Sequence, residues 1–190
     1  TFLETFKNKQ KQPALILKTS GATYSITDKF EIERKIAELK RLFSENDKLP
    51  NIYLLHGDLT DSEMNSLYNH PKIKAMISLT KAEGFGRPLL EFTTTGKPII
   101  APLYSGPADF LNPNYIITVP GGLTDIHHSA RNQFLIEGAK WFTPDYIAVK
   151  KIFKETVKHY NNFLTVSRKH IKYTNDNFSE LSITKQYQNL

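Results

Sequence analysis

The chain has 190 residues, of which 39% are hydrophobic and 23% are charged, and these globular proportions exclude extensive intrinsic disorder. It contains no cysteine, which excludes disulfide scaffolds, thiolate metal sites and cysteine nucleophiles. No apolar run reaches the roughly 18 residues of a membrane-spanning helix, and the first residues lack the pattern of a secretory signal. The chain begins with Thr1 rather than methionine, and we interpret it as a fragment or a processed form of a cytoplasmic protein.

Short apolar runs alternate with segments of helical periodicity along residues 1–119. Thr60 and Glu63 have the spacing of a capping box. The alternation favours an α/β fold, a doubly wound parallel sheet with helices on both faces, in which ligands bind at the carboxyl ends of the strands. Helices are predicted for 2–12, from Asp28, from Asp61 and from Pro88 to Gly96, and strands for 14–17, 52–55, 73–79, 98–101 and 115–119.

The sequence beyond residue 120 follows a different pattern. Residues 121–143 show no clear period and predict a long loop, and loops of this length are often functional. Thr143-Pro144-Asp145 predict the start of a long helix at about residue 144, with an apolar stripe that runs from Val149 to Leu164. A last short helix is predicted from about Asn177 to the C-terminus.

The net charge of +6 is concentrated in one stretch near the C-terminus. A basic face of this kind indicates an anionic neighbour, such as nucleic acid, a lipid surface or a phosphorylated substrate. A solvated helix face is an equal alternative; a lipid neighbour would place the protein peripherally at a membrane. The stretch contains Lys150, Lys151, Lys154, Lys158, Arg168, Lys169 and Lys172, opposed by Glu155.

The run from Glu83 to Glu91, E-G-F-G-R-P-L-L-E, carries the most chemistry. Two glycines flank Phe85, so the backbone can turn sharply and approach a ligand closely. Pro88 suits the first turn of a helix, whose N-terminus favours a phosphate. Both glutamates can point toward the strand ends, where one would meet a sugar and the other a ribose hydroxyl. Taken alone, Gly-x-Gly before a helix is weak evidence, and a simple turn into the helix explains it.

The run 78–91, S-L-T-K-A-E-G-F-G-R-P-L-L-E, followed by G-K-P-I-I-A at 96–101, resembles the C-terminal domain of glycosyltransferase family 4 (group 1) enzymes. Their signature is E-G-F-G-x-P-x-x-E followed by G-K-P-V-I-A. Supporting similarity occurs at 52–57, at 141–145 and at 178–179, although Glu180 stands where that family commonly has tryptophan. The resemblance extends over roughly the whole chain.

The resemblance implies the GT-B architecture, in which two Rossmann-like domains face each other across a cleft. Residues 1–190 would form the domain that binds the nucleoside-diphosphate sugar. The N-terminal acceptor domain and the first donor-domain strand would be absent, so these residues alone would bind a nucleoside diphosphate weakly and transfer almost no sugar. The implied reaction is retaining transfer of a glycosyl group to an acceptor, with no cofactor and no metal.

The resemblance also implies roles for individual residues. Glu83 would contact the transferred sugar and assist at its anomeric carbon, in a front-face reaction more commonly proposed than a covalent one. Glu91 would accept hydrogen bonds from the ribose. Nearby, Gly84, Phe85 and Gly86 would place N–H groups near the sugar and the diphosphate, Leu90 would pack beside the nucleoside, and Leu59 would lie near the base.

Three further features leave alternatives open. Lys18 ends the first strand and would pair with the diphosphate or lie at the surface. Arg87 fills the variable position of the motif and would reach phosphate or face solvent, and the sequence slightly favours phosphate. The loop 105–109, S-G-P-A-D, matches the place where the family often has Gly-Gly and a later glutamate, close to the donor.

The histidines do not have the spacing of a metal site. His127 and His128 are adjacent, so they cannot place both rings on one helix face. The sequence contains no Asp-x-Asp pair, and we predict no metal. Two other functions remain open: a basic module that binds nucleic acid or a membrane surface through 150–172, and an inactive donor-binding fragment.

Overall fold

The computed structural model describes residues 1–20, 26–130 and 137–188. The chain divides into two compact units, Thr1–Ser66 and Leu67–Leu190. Within the described ranges no helix is both long and apolar enough to cross a membrane.

The first unit contains two parallel strands and their helices. Strand β1 (Leu15–Thr19) pairs with β2 (Ile52–His56), with Leu15 opposite Ile52 and Thr19 opposite His56. Helix α3 (Asp61–Asn69) begins as predicted, because the Thr60 N–H donates to Glu63 Oε2 at 2.8 Å and the Glu63 N–H donates to Thr60 Oγ1 at 3.2 Å. The elements of this unit are α1 (Phe2–Phe6), β1 (Leu15–Thr19), α2 (Ile26–Arg41), β2 (Ile52–His56) and the first residues of α3 (Asp61–Asn69).

The predicted helix 2–12 is wrong in its length, because α1 ends at Phe6. Asn8 has a positive φ of 59°, which a helix cannot continue through. Its N–H donates to the Lys48 carbonyl at 2.8 Å, and its amide donates to Asp47 Oδ1 at 2.6 Å. A turn some forty residues away therefore binds the Asn8 N–H, which a longer helix would have used.

The second unit contains a three-stranded parallel sheet in the order β3–β4–β5. Its strands are shorter than predicted: β3 (Met76–Ile77), β4 (Ile99–Ala101) and β5 (Ile117–Thr118), with α4 (Arg87–Thr93) between the first two. The Ser78 N–H donates to the Ile100 carbonyl at 2.9 Å, so the ladder continues one residue beyond β3 toward the motif. The alternation of parallel strands and helices confirms the predicted α/β class.

The core of this unit lies beside the motif. Helix α4 buries one face against β4 and against the segment that follows residue 109. Each large apolar side chain buried there contributes about 1.5–3 kcal/mol. The core residues are Leu89, Phe92, Ile99, Ala101, Phe110 and Leu111, all exposed by 3% or less.

The predicted loop 121–143 is wrong in its described part. Strands β6 (Gly121–Asp125) and β7 (Lys140–Pro144) form an antiparallel pair with Gly121 opposite Pro144, while 131–136 lie outside the described residues. All five residues of β6 are exposed, and two of them are glycines. The strand therefore lacks the apolar alternation from which a half-buried strand is predicted.

The predicted single long helix is also wrong, because it is broken at His159. The helices are α5 (Tyr146–Lys158), α6 (Tyr160–Phe178) and α7 (Glu180–Gln188), and residues 189–190 lie outside the described part. The start of α5 is as predicted, because the Asp145 carboxylate accepts from the N–H groups of Ile147 at 2.9 Å and Ala148 at 3.1 Å.

Candidate functional site

The segment that leads from β3 into the motif is held by the hairpin of β6 and β7. The Phe142 N–H donates to the Lys81 carbonyl at 2.9 Å. The Lys81 ammonium lies 3.4 Å from the centroid of the Trp141 ring, which is cation–π geometry. The Thr80 hydroxyl closes a tight turn by donating to the Ala82 carbonyl at 2.7 Å. Sequence analysis missed this support, since nothing in the spacing connects Lys81 with a residue sixty positions later.

Gly86 forms the bend between the Glu83 turn and α4. Its φ is 86°, a conformation that side chains rarely adopt. A β-carbon there would lie 2.8 Å from Pro107 Cγ and 3.2 Å from Glu83 Cγ. Position 86 therefore requires glycine for two independent reasons, and the missing side chain leaves the space across which the Glu83 side chain lies.

Glu83 is half-buried. Within the described residues its carboxylate has no hydrogen-bond or ion-pair partner. Its backbone carbonyl, in contrast, accepts two hydrogen bonds, from the Ser105 hydroxyl at 2.7 Å and from the Gly106 N–H at 3.2 Å. The residue is thus fixed at its backbone and open at its carboxylate, an arrangement that suits contact with a ligand.

The turn offers three successive backbone donors. The N–H groups of Gly84, Phe85 and Gly86 have no acceptor in the part of the chain that the structure describes. Consecutive unpaired N–H groups in a turn form a concavity that can bind an anion. Helix α4 has only seven residues, so we attribute the capacity for anions to the turn rather than to the helix dipole.

Glu91 and Arg87 form an ion pair on the exposed side of α4, with Arg87 Nε 2.5 Å from Glu91 Oε1. The Arg87 side chain is 70% exposed and that of Glu91 is 37% exposed, so a ligand can reach both. Tyr68, which sequence analysis did not single out, lies near the pair. Burial raises the pKa of its hydroxyl, Glu91 raises it further, and Arg87 opposes the shift.

The two apolar residues of the motif lie in different surroundings. Phe85 is 51% exposed, and its ring centroid lies 5.3 Å from that of Phe110. Leu90 is partly buried and packs against the core. Phe85 therefore offers an aromatic surface to a ligand, whereas Leu90 offers only the part of its side chain that the core leaves open.

No protein-family model matches the chain, and no curated protein matches it. Among solved structures, the crystal structure of Alr3699/HepE from Anabaena, in complex with UDP-glucose, matches with a TM-score of 0.59 at 15% sequence identity. The alignment covers 92% of this chain and 39% of the HepE chain, so this chain spans about two fifths of that protein. The chain has a Rossmann-like α/β fold, with parallel strands flanked by helices.

The other two predicted donor contacts belong to the first unit of this fold. The Lys18 ammonium donates to the Gly57 carbonyl at 2.6 Å, so it bridges the ends of β1 and β2. Leu59 is half-buried, and its backbone groups make no hydrogen bond among the described residues. Backbone groups without a partner can bind the edge of a base. The diphosphate contact of Lys18 and the base contact of Leu59 stay predictions.

A metal site does not emerge from the described ranges, where no group of three or more His, Cys, Asp or Glu side chains lies close enough to hold an ion. The rings of His127 and His128 lie 4.2 Å apart, and His127 Nδ1 lies 2.7 Å from the Ser129 hydroxyl. The expectation that no metal takes part stays a prediction.

Proposed function

We propose that this chain binds a nucleoside-diphosphate sugar and takes part in retaining transfer of its glycosyl group to an acceptor. The observation that carries the proposal is one fixed turn in which, among the described residues, the Glu83 carboxylate has no partner and three backbone N–H groups have no acceptor. The structural similarity to a protein crystallised with UDP-glucose supports it. The E-G-F-G-R-P-L-L-E run supports the finer assignment to the donor domain of a family 4, GT-B enzyme.

The Glu83 carboxylate and the backbone N–H groups of the turn can each stabilise one of the two charges that develop during transfer. As the bond from the anomeric carbon to the diphosphate breaks, the sugar gains positive charge and the diphosphate gains negative charge. The Glu83 carboxylate stabilises the sugar, and the N–H groups of Gly84, Phe85 and Gly86 stabilise the leaving diphosphate. The acceptor oxygen attacks from the same face, and its proton passes to the leaving phosphate oxygen. These groups need no cofactor.

The nucleoside part of the donor would lie along α4. Glu91 accepts the ribose hydroxyls, and Leu90 contacts the nucleoside. Arg87 either stays paired with Glu91 or turns its guanidinium toward the diphosphate. In the second arrangement the guanidinium neutralises part of the charge of the diphosphate.

Isothermal titration with UDP, GDP, ADP and UDP-glucose tests the proposal. We expect at least one diphosphate to bind well above inorganic phosphate, and Gly86→Ala to weaken that binding. Gly122→Ala, at an exposed glycine where a β-carbon would meet nothing within 4 Å, is the matched control and should bind as the wild type does. If none of the diphosphates binds better than phosphate, the proposal is wrong.

A second candidate function is contact with an anionic surface through α5. Lys151, Lys154 and Lys158 are exposed, lie on one helical face and have no ion-pair partner among the described residues. Ile147 lies on the same face and is 70% exposed, which favours a lipid surface over nucleic acid. Such a contact is compatible with sugar transfer to a lipid-linked acceptor.

Sedimentation with lipid vesicles tests this candidate. We expect binding to vesicles that contain phosphatidylserine and none to pure phosphatidylcholine, with loss of binding when the three lysines are changed to glutamine. Exchange of Lys9, Lys11 and Lys48, exposed lysines of the first unit, is the control. Equal binding to both vesicles would exclude the candidate, and binding to RNA instead would favour the nucleic-acid alternative.

A further inference from the structure

The loop that begins at Ser105 packs backbone to backbone against the motif. The Ser105 hydroxyl and the Gly106 N–H both donate to the Glu83 carbonyl. A β-carbon on Gly106 would lie 2.2 Å from the Gly84 carbonyl oxygen and 2.7 Å from Phe85 Cα. Backbone atoms cannot give way as a flexible side chain can, so glycine at 106 is required for this contact.

These two hydrogen bonds fix an N–H group as well as a carbonyl. The Glu83 carbonyl and the Gly84 N–H belong to one planar trans peptide, and they point in opposite directions. Because two donors hold the oxygen, the Gly84 N–H is aimed away from the Ser105 loop. Donors on the carbonyl also polarise the peptide, which makes its N–H a stronger donor.

Ser105 achieves this contact in a strained conformation. Its φ is 61° and its ψ is −154°, a region that residues other than glycine rarely adopt. Glycine would relieve the strain, but it has no hydroxyl to donate to Glu83. The hydroxyl is therefore the property that explains a serine here.

We propose that Ser105 and Gly106 are positioning residues that aim the Gly84 N–H at the diphosphate of the bound donor. The inference rests on the proposed function, because the diphosphate is the acceptor for that N–H. Negative charge grows on the leaving diphosphate during transfer, so the aimed donor stabilises the transition state more than the bound ground state. Loss of the Ser105 hydroxyl should therefore lower kcat more than it raises KM.

Two substitutions in the full-length protein separate the hydroxyl from the strain. Ser105→Gly removes both, and we expect a thermal midpoint close to that of the wild type with kcat lowered about five- to tenfold, the equivalent of one hydrogen bond. Ser105→Ala keeps the strain without the hydroxyl, so it should lower kcat similarly and also lower the thermal midpoint. Ala108→Gly, at an exposed position of the same loop, is the control and should leave kcat unchanged.

The Gly84 amide resonance in a ¹⁵N–¹H spectrum provides a readout that does not depend on activity. We expect Ser105→Gly to shift this resonance, since the peptide loses a polarising donor, and Ala108→Gly to leave it in place. Wild-type kcat and an unchanged Gly84 resonance in Ser105→Gly would overturn the inference while the proposed function stands. A wild-type protein that neither binds a diphosphate nor transfers sugar would overturn both.

Discussion

The imidazole of His170 and the hydroxyl of Thr174 form a buried hydrogen bond of 2.9 Å. Nε2 of the ring accepts from the Asn112 N–H at 3.1 Å, so the neutral ring carries its proton on Nδ1 and donates it to Thr174. The Thr174 hydroxyl donates to Thr93 at 2.8 Å, and Thr93 donates to the Leu90 carbonyl at 2.6 Å. This chain of donors joins α6 to α4, the helix that forms the second half of the motif.

The His170 network predicts a loss of stability in mild acid. Burial lowers the pKa of His170 from 6.5 to about 4, so the unfolded chain binds a proton at a higher pH than the folded protein. The free energy of unfolding should fall as the pH drops from about 6.5 to 4, by about 3 kcal/mol in total. Urea unfolding at pH 7.5 and pH 5 measures this slope.

The matched variants for this prediction are His170→Gln and His159→Gln, the latter at an exposed histidine that pairs with Glu155. His170→Gln should be less stable at pH 7.5 and should lose most of the difference between the two pH values. His159→Gln should keep it. The same slope in wild type and His170→Gln would show that another group titrates.

Gly86→Ala should destabilise the protein by about 1–3 kcal/mol, because it puts a side chain at positive φ and forces Pro107 and Glu83 apart. Chemical denaturation measures the loss. Gly122→Ala is the control, since a β-carbon there meets nothing within 4 Å and its φ is not in the left-handed range. Equal stability of the two variants would contradict the requirement for glycine at 86.

Replacing each of the two glutamates of the motif should have a different effect, one on binding and the other on turnover. Glu91→Ala should weaken binding of the nucleoside diphosphate about ten- to hundredfold, because hydrogen bonds to a charged group contribute ~1.5–3 kcal/mol each. Glu83→Ala should lower turnover far more than it weakens binding of the free diphosphate, which has no sugar for Glu83 to meet. Titration and turnover assays on the full-length protein distinguish them.

The outcomes that would change these assignments are specific. A loss of diphosphate affinity in Glu83→Ala as large as that in Glu91→Ala would mean that the two roles are assigned wrongly. Normal binding and turnover in both variants would mean that the motif is a structural turn.

The contact between Lys81 and Trp141 should stabilise the hairpin on the motif segment. A double-mutant cycle of Lys81→Met and Trp141→Leu should give a coupling free energy of about 0.5–2 kcal/mol, the range of cation–π pairs. Lys140→Met combined with Trp141→Leu is the control cycle, because Lys140 lies beside Asp125. A coupling near zero in the first cycle would show that the close approach contributes nothing to stability.

Local chemistry accounts for the parts of the fold that the sequence predicted. The capping box of Thr60 and Glu63 and the cap at Asp145 each depend on neighbours within three residues. Gly86 was expected at the bend because its residue type limits what the backbone can do there. Features of this kind are determined by residues that are close together in the sequence.

The parts that were predicted wrongly depend on contacts with residues far away in the sequence, or on features that leave no trace in the spacing of apolar residues. The early end of α1 depends on the turn at Asp47. The spacing of buried residues does not reveal the break at His159. Val149 and Ser167 are both buried and lie eighteen residues apart, which is five whole helical turns, so they would share one face of an unbroken helix. The hydrogen bond from Ser105 to Glu83 spans 22 positions, so no local pattern predicts it, although the resemblance placed the loop 105–109 close to the donor.

In the proposed site, the Arg87 guanidinium competes with the nucleoside for the Glu91 carboxylate. A ribose hydroxyl that binds Glu91 must share or displace the guanidinium, and the released cation is then available to the phosphates one turn away. Binding the nucleoside alone would break an ionic contact, whereas binding the diphosphate would exchange one for another. Ionic strength should therefore act in opposite directions on the two ligands: added salt would loosen the internal pair and favour the nucleoside, while it would screen the phosphates and disfavour the diphosphate.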